Sequence, residues 1–373
     1  MDVKTCRRPD ERNKIILNQI ELSNRVYGVV RIRSGKEQGE KETMQLQDLG
    51  IVHRYRKNPV LSKNDIPYDA ELIFNAGVCR FNGRYVMCFR NDYGRSEAEF
   101  AVGRTDLKTN IGLAFSDDGV HWQVAAAPCF SLAADGINRA YDPRLTVIDG
   151  RCYLCFAVDG DAGVCGGIAV TEDFEKFEVL HISEPDNRNM VLFPEKRNGR
   201  FLRLDRPMPV YSKGGGEAFE LWLSESPDCV FWGKHRRILK SAQVPFCNSK
   251  IGPAAPPVRT KAGWLTTFHA VWKLDRPELS AWDPAGWNKI YTAGIMLLDL
   301  EDPSRILGIS RKPLISPETA YELRGFRGSA IFPGGMILEE SGEVKIYYGA
   351  ADTVECLATA EVGELIDACL RNE

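Results

Sequence analysis

Asn82-Gly-Arg-Tyr-Val-Met-Cys-Phe89 and Asp149-Gly-Arg-Cys-Tyr-Leu-Cys-Phe156 are two copies of one pattern, a tight turn feeding an apolar strand. Asn-Gly and Asp-Gly favour a two-residue type I′ turn, because both central residues of that turn have positive φ. The pattern returns as Asn198-Gly199 before Arg200-Phe-Leu-Arg-Leu204, Ala262-Gly263 before Trp264-Leu-Thr-Thr-Phe268, and Ser341-Gly342 before Glu343-Val-Lys-Ile-Tyr-Tyr348. A second element keeps step with it. Ser116-x-Asp118-x-x-x-Trp122, Thr171-x-Asp173-x-x-x-Phe177 and Ser226-x-Asp228-x-x-x-Trp232 start 55 residues apart, each after an apolar strand. Leu297-Leu-Asp-Leu-Glu-Asp302-Pro-Ser-Arg-Ile306 is a looser fourth copy. Ser or Thr and Asp at this spacing bond the local backbone in a turn, with an aromatic ring packed beneath. A hairpin, a third strand and this turn make a sheet of about four strands. Five such units predict an all-β fold, a five-bladed β-propeller in which radial closure hides the sheet edges. Two separate sandwiches would not need the shared register.

The rest of the chain is read around this repeat. At 373 residues the protein is too long for one small core and suits two ordinary domains or one closed repeat. Residues 1–57 stand outside the pattern as an N-terminal extension, with 58–373 forming the propeller. Within the extension, Ile15, Ile16, Leu17, Ile20 and Leu22 predict a short helix over 13–27, and 35–41 reads as a charged, solvated loop. Lys and Arg number 48 against 51 Asp and Glu, a net charge of −3, which excludes nucleic-acid binding by bulk charge. Met1 to Lys14 is charged throughout and has no apolar signal-peptide core, and runs such as Gly294-Ile-Met-Leu-Leu298 are far too short for a membrane span. Eleven scattered cysteines, an odd number, fit reduced buried thiols. The cytoplasm is therefore the expected location. Cys152-x-x-Cys155 lies in a strand, where residues three apart face opposite sides, and no second pair completes a metal site. No metal or other cofactor is expected, although the axial carbonyls of a five-bladed propeller offer calcium a place.

The innermost strand of each blade runs along the central funnel, so polar residues at its open end are the candidates for chemistry. Counting back eight residues from Gly83 reaches Asn75, and the same count from Gly150 reaches Asp142. Counting forward seven from Gly83 and Gly199 reaches Arg90 and Arg206; six from Gly263 reaches His269, and Gly342 leads to Tyr348 and then Asp352. Cationic and neutral donors thus recur at one radius, while acids are fewer. An inverting hydrolase needs an acid and a second carboxylate that activates water. A phosphorylase needs one acid, because phosphate is already an anionic nucleophile, and a cluster of fixed donors to hold it. The recurring donors favour phosphate. The same residues also have ordinary structural uses: a strand-end Arg in a surface ion pair, His269 as a satisfied core histidine, Lys250 as a loop cap. Glu195 and Asp205 are the candidate hydrolytic bases, or simply partners of neighbouring Lys and Arg. Trp272, Trp282 and Trp287 offer a sugar-stacking face or plain packing. Gly214-Gly-Gly216 has no phosphate-loop context and reads as a flexible turn.

Phe74-Asn-Ala-Gly77, Phe89-Arg-Asn-Asp92, Tyr141-Asp-Pro-Arg144, Leu192-Phe-Pro-Glu-Lys196, Leu204-Asp-Arg-Pro207, Lys250-Ile-Gly-Pro253 and Tyr348-Gly-Ala-Ala-Asp352 together resemble glycoside hydrolase family 130. The likeness runs from Asn58 to Leu365 with the motifs in order. It implies a five-bladed propeller and an inverting β-mannoside phosphorylase that uses inorganic phosphate as co-substrate. Leu202-Arg-Leu-Asp-Arg-Pro207 and Gly263-Trp-Leu-Thr-Thr-Phe-His269 are most similar to the branch acting on 4-O-β-D-mannosyl-D-glucose. By this resemblance Asp142 is the catalytic acid, and Arg188, Arg206, Lys250 and His269 bind phosphate. Asn75, Arg90, Tyr141 and Asp352 hold the mannosyl unit, and Asp92 and Arg95 contact the glucose side. Gly325-Phe-Arg-Gly-Ser-Ala330 departs from the family pattern. The resemblance also implies a relay of the proton through the mannose 3-hydroxyl, and a homo-oligomer. A mannooligosaccharide or N-acetylglucosamine-ended acceptor, a β-mannoside hydrolase and a non-catalytic sugar-binding propeller are the other readings.

Overall fold

In the computed structural model the described residues are 29–32, 43–104, 106–132, 136–209, 219–278 and 286–371. The expected helix over 13–27, the loop at 35–41, the Gly214 turn and Trp282 lie outside them. The chain divides into two units, 1–47 and 48–373. In the first, Val29–Ile32 pairs with Thr43–Leu46 as an antiparallel hairpin.

The second unit is a five-bladed propeller. Blade I holds Leu72–Phe81, Arg84–Tyr93, Lys108–Ser116 and Gln123–Val124, and blade II holds Ile137–Ile148, Arg151–Gly160, Gly163–Thr171 and Glu178–Ile182. Blade III is built from Asn187–Leu192, Phe201–Pro207, Leu221–Ser226 and Gly233–Leu239. Blade IV runs Ile251–Pro253, Trp264–Glu278, Trp287–Leu298, Ile306–Ile309, with Val258–Arg259 added beside its second strand. Blade V takes Ile331–Leu338, Glu343–Ala350 and Val354–Glu361, and its outermost strand is His53–Arg54 from the other end of the chain. The propeller thus begins ahead of residue 58. Arg54 secures this closure by donating to Glu322 Oε1 (2.8 Å) and the Ser316 carbonyl (2.7 Å).

The Ser/Thr-x-Asp turn forms as its residue types require. Ser116 Oγ accepts from the Gly119 N–H at 2.9 Å, and Asp118 Oδ1 accepts from Val120 and His121 at 2.8 and 2.9 Å. Thr171 with Asp173, and Ser226 with Asp228, repeat the arrangement. The aromatic residue of the turn also reaches the neighbouring blade: Trp122 meets Tyr347 of blade V edge-on at 5.8 Å. Apolar side chains gather in five wedges, one between each adjacent pair of blades. Burying each large side chain there stabilises the ring by about 1.5–3 kcal/mol. Cys152 and Cys155 fall in different wedges, as their spacing predicts.

Each of the first three inner strands carries a bulge in which one residue turns left-handed. These are Asn75 (φ 54), Asp142 (φ 54) and Asn189 (φ 60), at register shifts Phe74/Gly77, Tyr141/Arg144 and Arg188/Val191. Asn and Asp adopt this conformation more readily than other non-glycine residues, which accounts for their presence. At these bulges the Asn75, Tyr141, Asp142 and Arg188 side chains reach the funnel.

Candidate active site

At the mouth of the inner strands lies a cavity of 240 Å³. Blade I lines it with Asn75 and Arg90, blade II with Arg139, Tyr141 and Asp142, blade III with Arg188, and blades IV and V with Trp287, Tyr291, Arg327, Phe332 and Asp352. Asp142 Oδ1 accepts from Asn75 Nδ2 at 3.0 Å and from Arg90 Nη1 at 3.2 Å. Arg90 is held by a two-point pair to Asp92 (2.9 and 2.6 Å), and Thr109 donates to the same carboxylate at 2.7 Å. Burial pushes the Asp142 carboxyl up, but Arg90, Arg144, Asn75 and Arg188 outweigh it and hold it below the ordinary value. Asp352 goes the other way. Burial pushes its carboxyl up to about 7, with the neighbouring Asp142 charge adding to the rise against the pull of Arg90.

The opposite electrostatic character prevails on the blade III and IV side. Arg206 Nη1 bonds His269 Nε2 at 2.9 Å, and His269 Nδ1 bonds the Pro253 carbonyl at 3.2 Å. A guanidinium only donates, so His269 carries its proton on Nδ1 and accepts through Nε2. Burial, then Arg206, Lys250 and Arg188, hold this imidazole well below its ordinary pKa, so it stays neutral. Burial and the facing Arg188 bring Arg206 down to about 9. Arg188 Nη1 donates to the Tyr141 hydroxyl at 3.1 Å, which in turn donates to Asp159 at 2.6 Å. Neither Arg188 nor Arg206 has a carboxylate ion-pair partner among the described residues, and the Nε of each is buried without a hydrogen bond. Buried cations without a direct ion pair suit an anion. Gly252 permits the arrangement, since a Cβ there would stand 2.5 Å from His269 Cε1 and 2.9 Å from Arg206 Cδ. Trp287 stacks on Tyr291 at 5.8 Å, Tyr291 on His269 at 6.1 Å, and the Arg327 guanidinium covers Trp287 at 5.0 Å.

Residues 47–371 match the family model of glycoside hydrolase family 130, described as beta-1,4-mannooligosaccharide phosphorylase. The chain belongs to this family. It is similar to the beta-1,4-mannooligosaccharide phosphorylase of Ruminococcus albus, 28% identical over 329 residues, covering 85% of this chain and 90% of that one. It is 26% identical to the 4-O-beta-D-mannosyl-D-glucose phosphorylase of Bacteroides fragilis, covering 86% and 85% of the two chains. The solved structure of the beta-1,2-mannobiose phosphorylase from Listeria innocua, in complex with beta-1,2-mannobiose, superposes with a TM-score of 0.72 at 25% identity, covering 85% of this chain and 99% of that one. As a member of family 130 the protein is a glycoside phosphorylase. Relatives naming three different substrates are about equally close, so similarity alone singles out no acceptor.

This family 130 cavity brings together Asn75, Arg90, Tyr141, Asp142, Arg188 and Asp352. Arg206, Lys250 and His269 are buried rather than lining the cavity; Arg206 bonds His269, and the charges of Lys250 and Arg188 act on that imidazole. Asp92 and Arg95, expected on the glucose side, do not line this cavity. Asp92 is fully buried behind Arg90, and Arg95 sits in an exposed pair with Asp106 at 2.8 Å. The two candidate hydrolytic bases are also away from the cavity: Glu195 pairs with Arg259 at the surface, and Asp205 is fully buried against Arg203 at 2.9 Å. Arg139, Tyr291, Arg327 and Phe332 were not singled out from the sequence. Arg139 and Tyr141 lie two apart on one strand and so share a face, a signal that would have found Arg139. The irregular 325–330 loop contributes Arg327 and Ala330 to the wall. Among the described residues no cluster of His, Cys, Asp and Glu could hold a metal ion, and no helix is long and apolar enough to cross a membrane.

Proposed function

We propose that this phosphorylase is inverting and acts reversibly on 4-O-β-D-mannosyl-D-glucose, giving α-D-mannose 1-phosphate and D-glucose. The observation that carries the reading is a carboxylate held below its ordinary pKa, Asp142, on the wall of one cavity with Arg188, and Arg206 buried nearby, neither arginine in a direct carboxylate ion pair among the described residues. Phosphate held by those cations attacks the anomeric carbon from the α face as the bond to the glucose oxygen breaks. Asp142 supplies the proton to that oxygen, by way of the mannose 3-hydroxyl. A bound phosphate dianion offsets the pull of Arg188 on Asp142, so the carboxyl takes up its proton as the co-substrate arrives. Asp352 shares Arg90 with Asp142, so both carboxyls face the same guanidinium, whereas a hydrolytic base must work from the opposite face of the sugar.

The test is glucose release from 4-O-β-D-mannosyl-D-glucose with and without inorganic phosphate. Phosphate-dependent release with mannose 1-phosphate as co-product supports the reading, and equal release in plain buffer overturns it. Asp142→Asn should lower turnover by about 10²–10⁴-fold with the fold intact. A β-1,4-mannooligosaccharide is the second acceptor reading, favoured by the Ruminococcus albus relative. Synthesis from mannose 1-phosphate with glucose, mannose and mannobiose as competing acceptors separates the two.

A further inference from the structure

We propose that Arg144 is a positioning residue for phosphorolysis: its guanidinium, in contact with four of the five blades, fixes the two bulges that carry Asn75 and Asp142. The inference rests on the reading of Asp142 as the proton donor. Arg144 does not line the cavity; it is buried beneath it. Its Nη1 donates to the carbonyls of Asn75 (3.1 Å) and Pro143 (2.6 Å), and its Nε donates to the carbonyl of Ala254 (2.8 Å). The guanidinium also lies over the Phe332 ring at 5.1 Å. One side chain therefore ties together blades I, II, IV and V. The first two carbonyls belong to the left-handed Asn75 and to the residue after the left-handed Asp142, so the same nitrogen pins both bulges. A planar fork holds its donors on separate nitrogens in fixed directions, a span that the compact, freely rotating ammonium of lysine does not reproduce. Gly334 leaves the room, since a Cβ there would come within 2.0 Å of the Ala76 carbonyl and 3.1 Å of Arg144 Nη1.

The charge of Arg144 also bears on the proton. The groups around it are Asp142, Glu355 and Cys155. Burial pushes the Glu355 carboxyl well above its ordinary value; one of its oxygens accepts from the Ala76 N–H at 3.0 Å. The positive charge of Arg144 is left facing Asp142, alongside Arg90, Arg188 and the Asn75 amide, with the Asp352 carboxyl as the opposing acid.

The experiment compares Arg144→Met and Arg144→Lys with wild type and Asp142→Asn, reading kcat, the KM for phosphate and the pH profile of kcat/KM. Both Arg144 variants should lose about 10²-fold in kcat, the usual cost of a misplaced catalytic group, while the KM for phosphate stays within about threefold. The acid must be protonated to act, so the rate falls as pH rises through its pKa. Removing a nearby cation raises that pKa. The alkaline limb should therefore move up by about one pH unit in Arg144→Met and stay in place in Arg144→Lys. A folded Arg144→Met with wild-type kcat and an unmoved limb overturns the inference. So does loss of the folded state in both variants by near-ultraviolet circular dichroism, which assigns Arg144 to stability alone. If instead Asp142→Asn keeps a tenth of the activity or more, the reading of Asp142 fails, whatever the Arg144 variants do.

Discussion

Replacing Asp352 by Asn exchanges a carboxyl that burial keeps protonated towards pH 7 for an amide that never ionises. The substitution suits the backbone, because Asp352 has φ 49 and Asn tolerates the left-handed region. The carboxyl titrates at about 7 in the folded protein against the ordinary 3.8, so between those values the folded state keeps a proton that the unfolded chain has lost. Stability therefore falls as pH rises through this window. Linkage puts the penalty at about 2 kcal/mol at pH 5 and about 4 kcal/mol at pH 8. The variant should thus gain about 2 to 3 kcal/mol on wild type in going from the first pH to the second. Packing differences between Asp and Asn are the same at both values and drop out of this difference. Urea unfolding followed by tryptophan fluorescence at the two pH values measures it. Because the Asp142 charge is part of the cause, the gain should shrink in an Asp142→Asn background. Equal stability differences at both pH values would refute the reasoning, by showing that the cavity does not raise this carboxyl. The gain in stability should come with weaker binding of the sugar, the usual opposition at a strained site.

Other residues give sharper tests of single roles. His269→Gln keeps an acceptor for Arg206 and should hold the KM for phosphate within about threefold, whereas His269→Phe should raise it about tenfold or more; because the imidazole stays neutral, that KM should show no histidine titration between about pH 6 and 8. Asp205→Asn leaves Arg203 as an uncompensated buried charge and should cost about 3–5 kcal/mol of stability while sparing turnover per folded molecule. A stable Asp205→Asn without activity would restore Asp205 as a catalytic candidate. Glu322 accepts from Arg54, Tyr348 and the Glu318 and Thr319 N–H groups, so Glu322→Gln should cost about 3 kcal/mol and speed hydrogen exchange in Val354–Glu361 before other strands.

The turn chemistry makes the blades legible in the sequence alone. Asn82-Gly83, Asp149-Gly150 and Asn198-Gly199 open the second strand of blades I, II and III, and the Ser/Thr-x-Asp turns close their third strands. Counting from those glycines reached Asn75 and Asp142, because both hairpins have the same length. It did not reach Asn189, which stands farther from Gly199 and occupies the matching bulge. The period of a strand also explains the placement of Asp92. Residues two apart share a face, so Asp92 pairs with Arg90 instead of reaching towards an acceptor. Trp287, Tyr291 and Arg327 could not be read in the same way. Their approach to the cavity depends on how blades IV and V lean together, and no local spacing encodes that. Arg144 was visible only as part of a motif, since a side chain that bonds three carbonyls from three blades leaves no pattern in its own neighbourhood.

The latch of blade V has a consequence for the order of events during synthesis. Asn58 exchanges hydrogen bonds with Leu357, 299 residues further along, and His53–Arg54 pairs with Val354–Glu361. The strand that emerges early from the ribosome has no partner until the last blade has been made. At about 5–20 residues per second, that is a wait of roughly 15–60 s. Blades I to IV can form their own hairpins during this time, but each exposes an unpaired edge or an uncovered wedge until the circle is complete. A nascent-chain binder that shields residues 48–61 should therefore raise the yield of active enzyme more than one acting on any later segment.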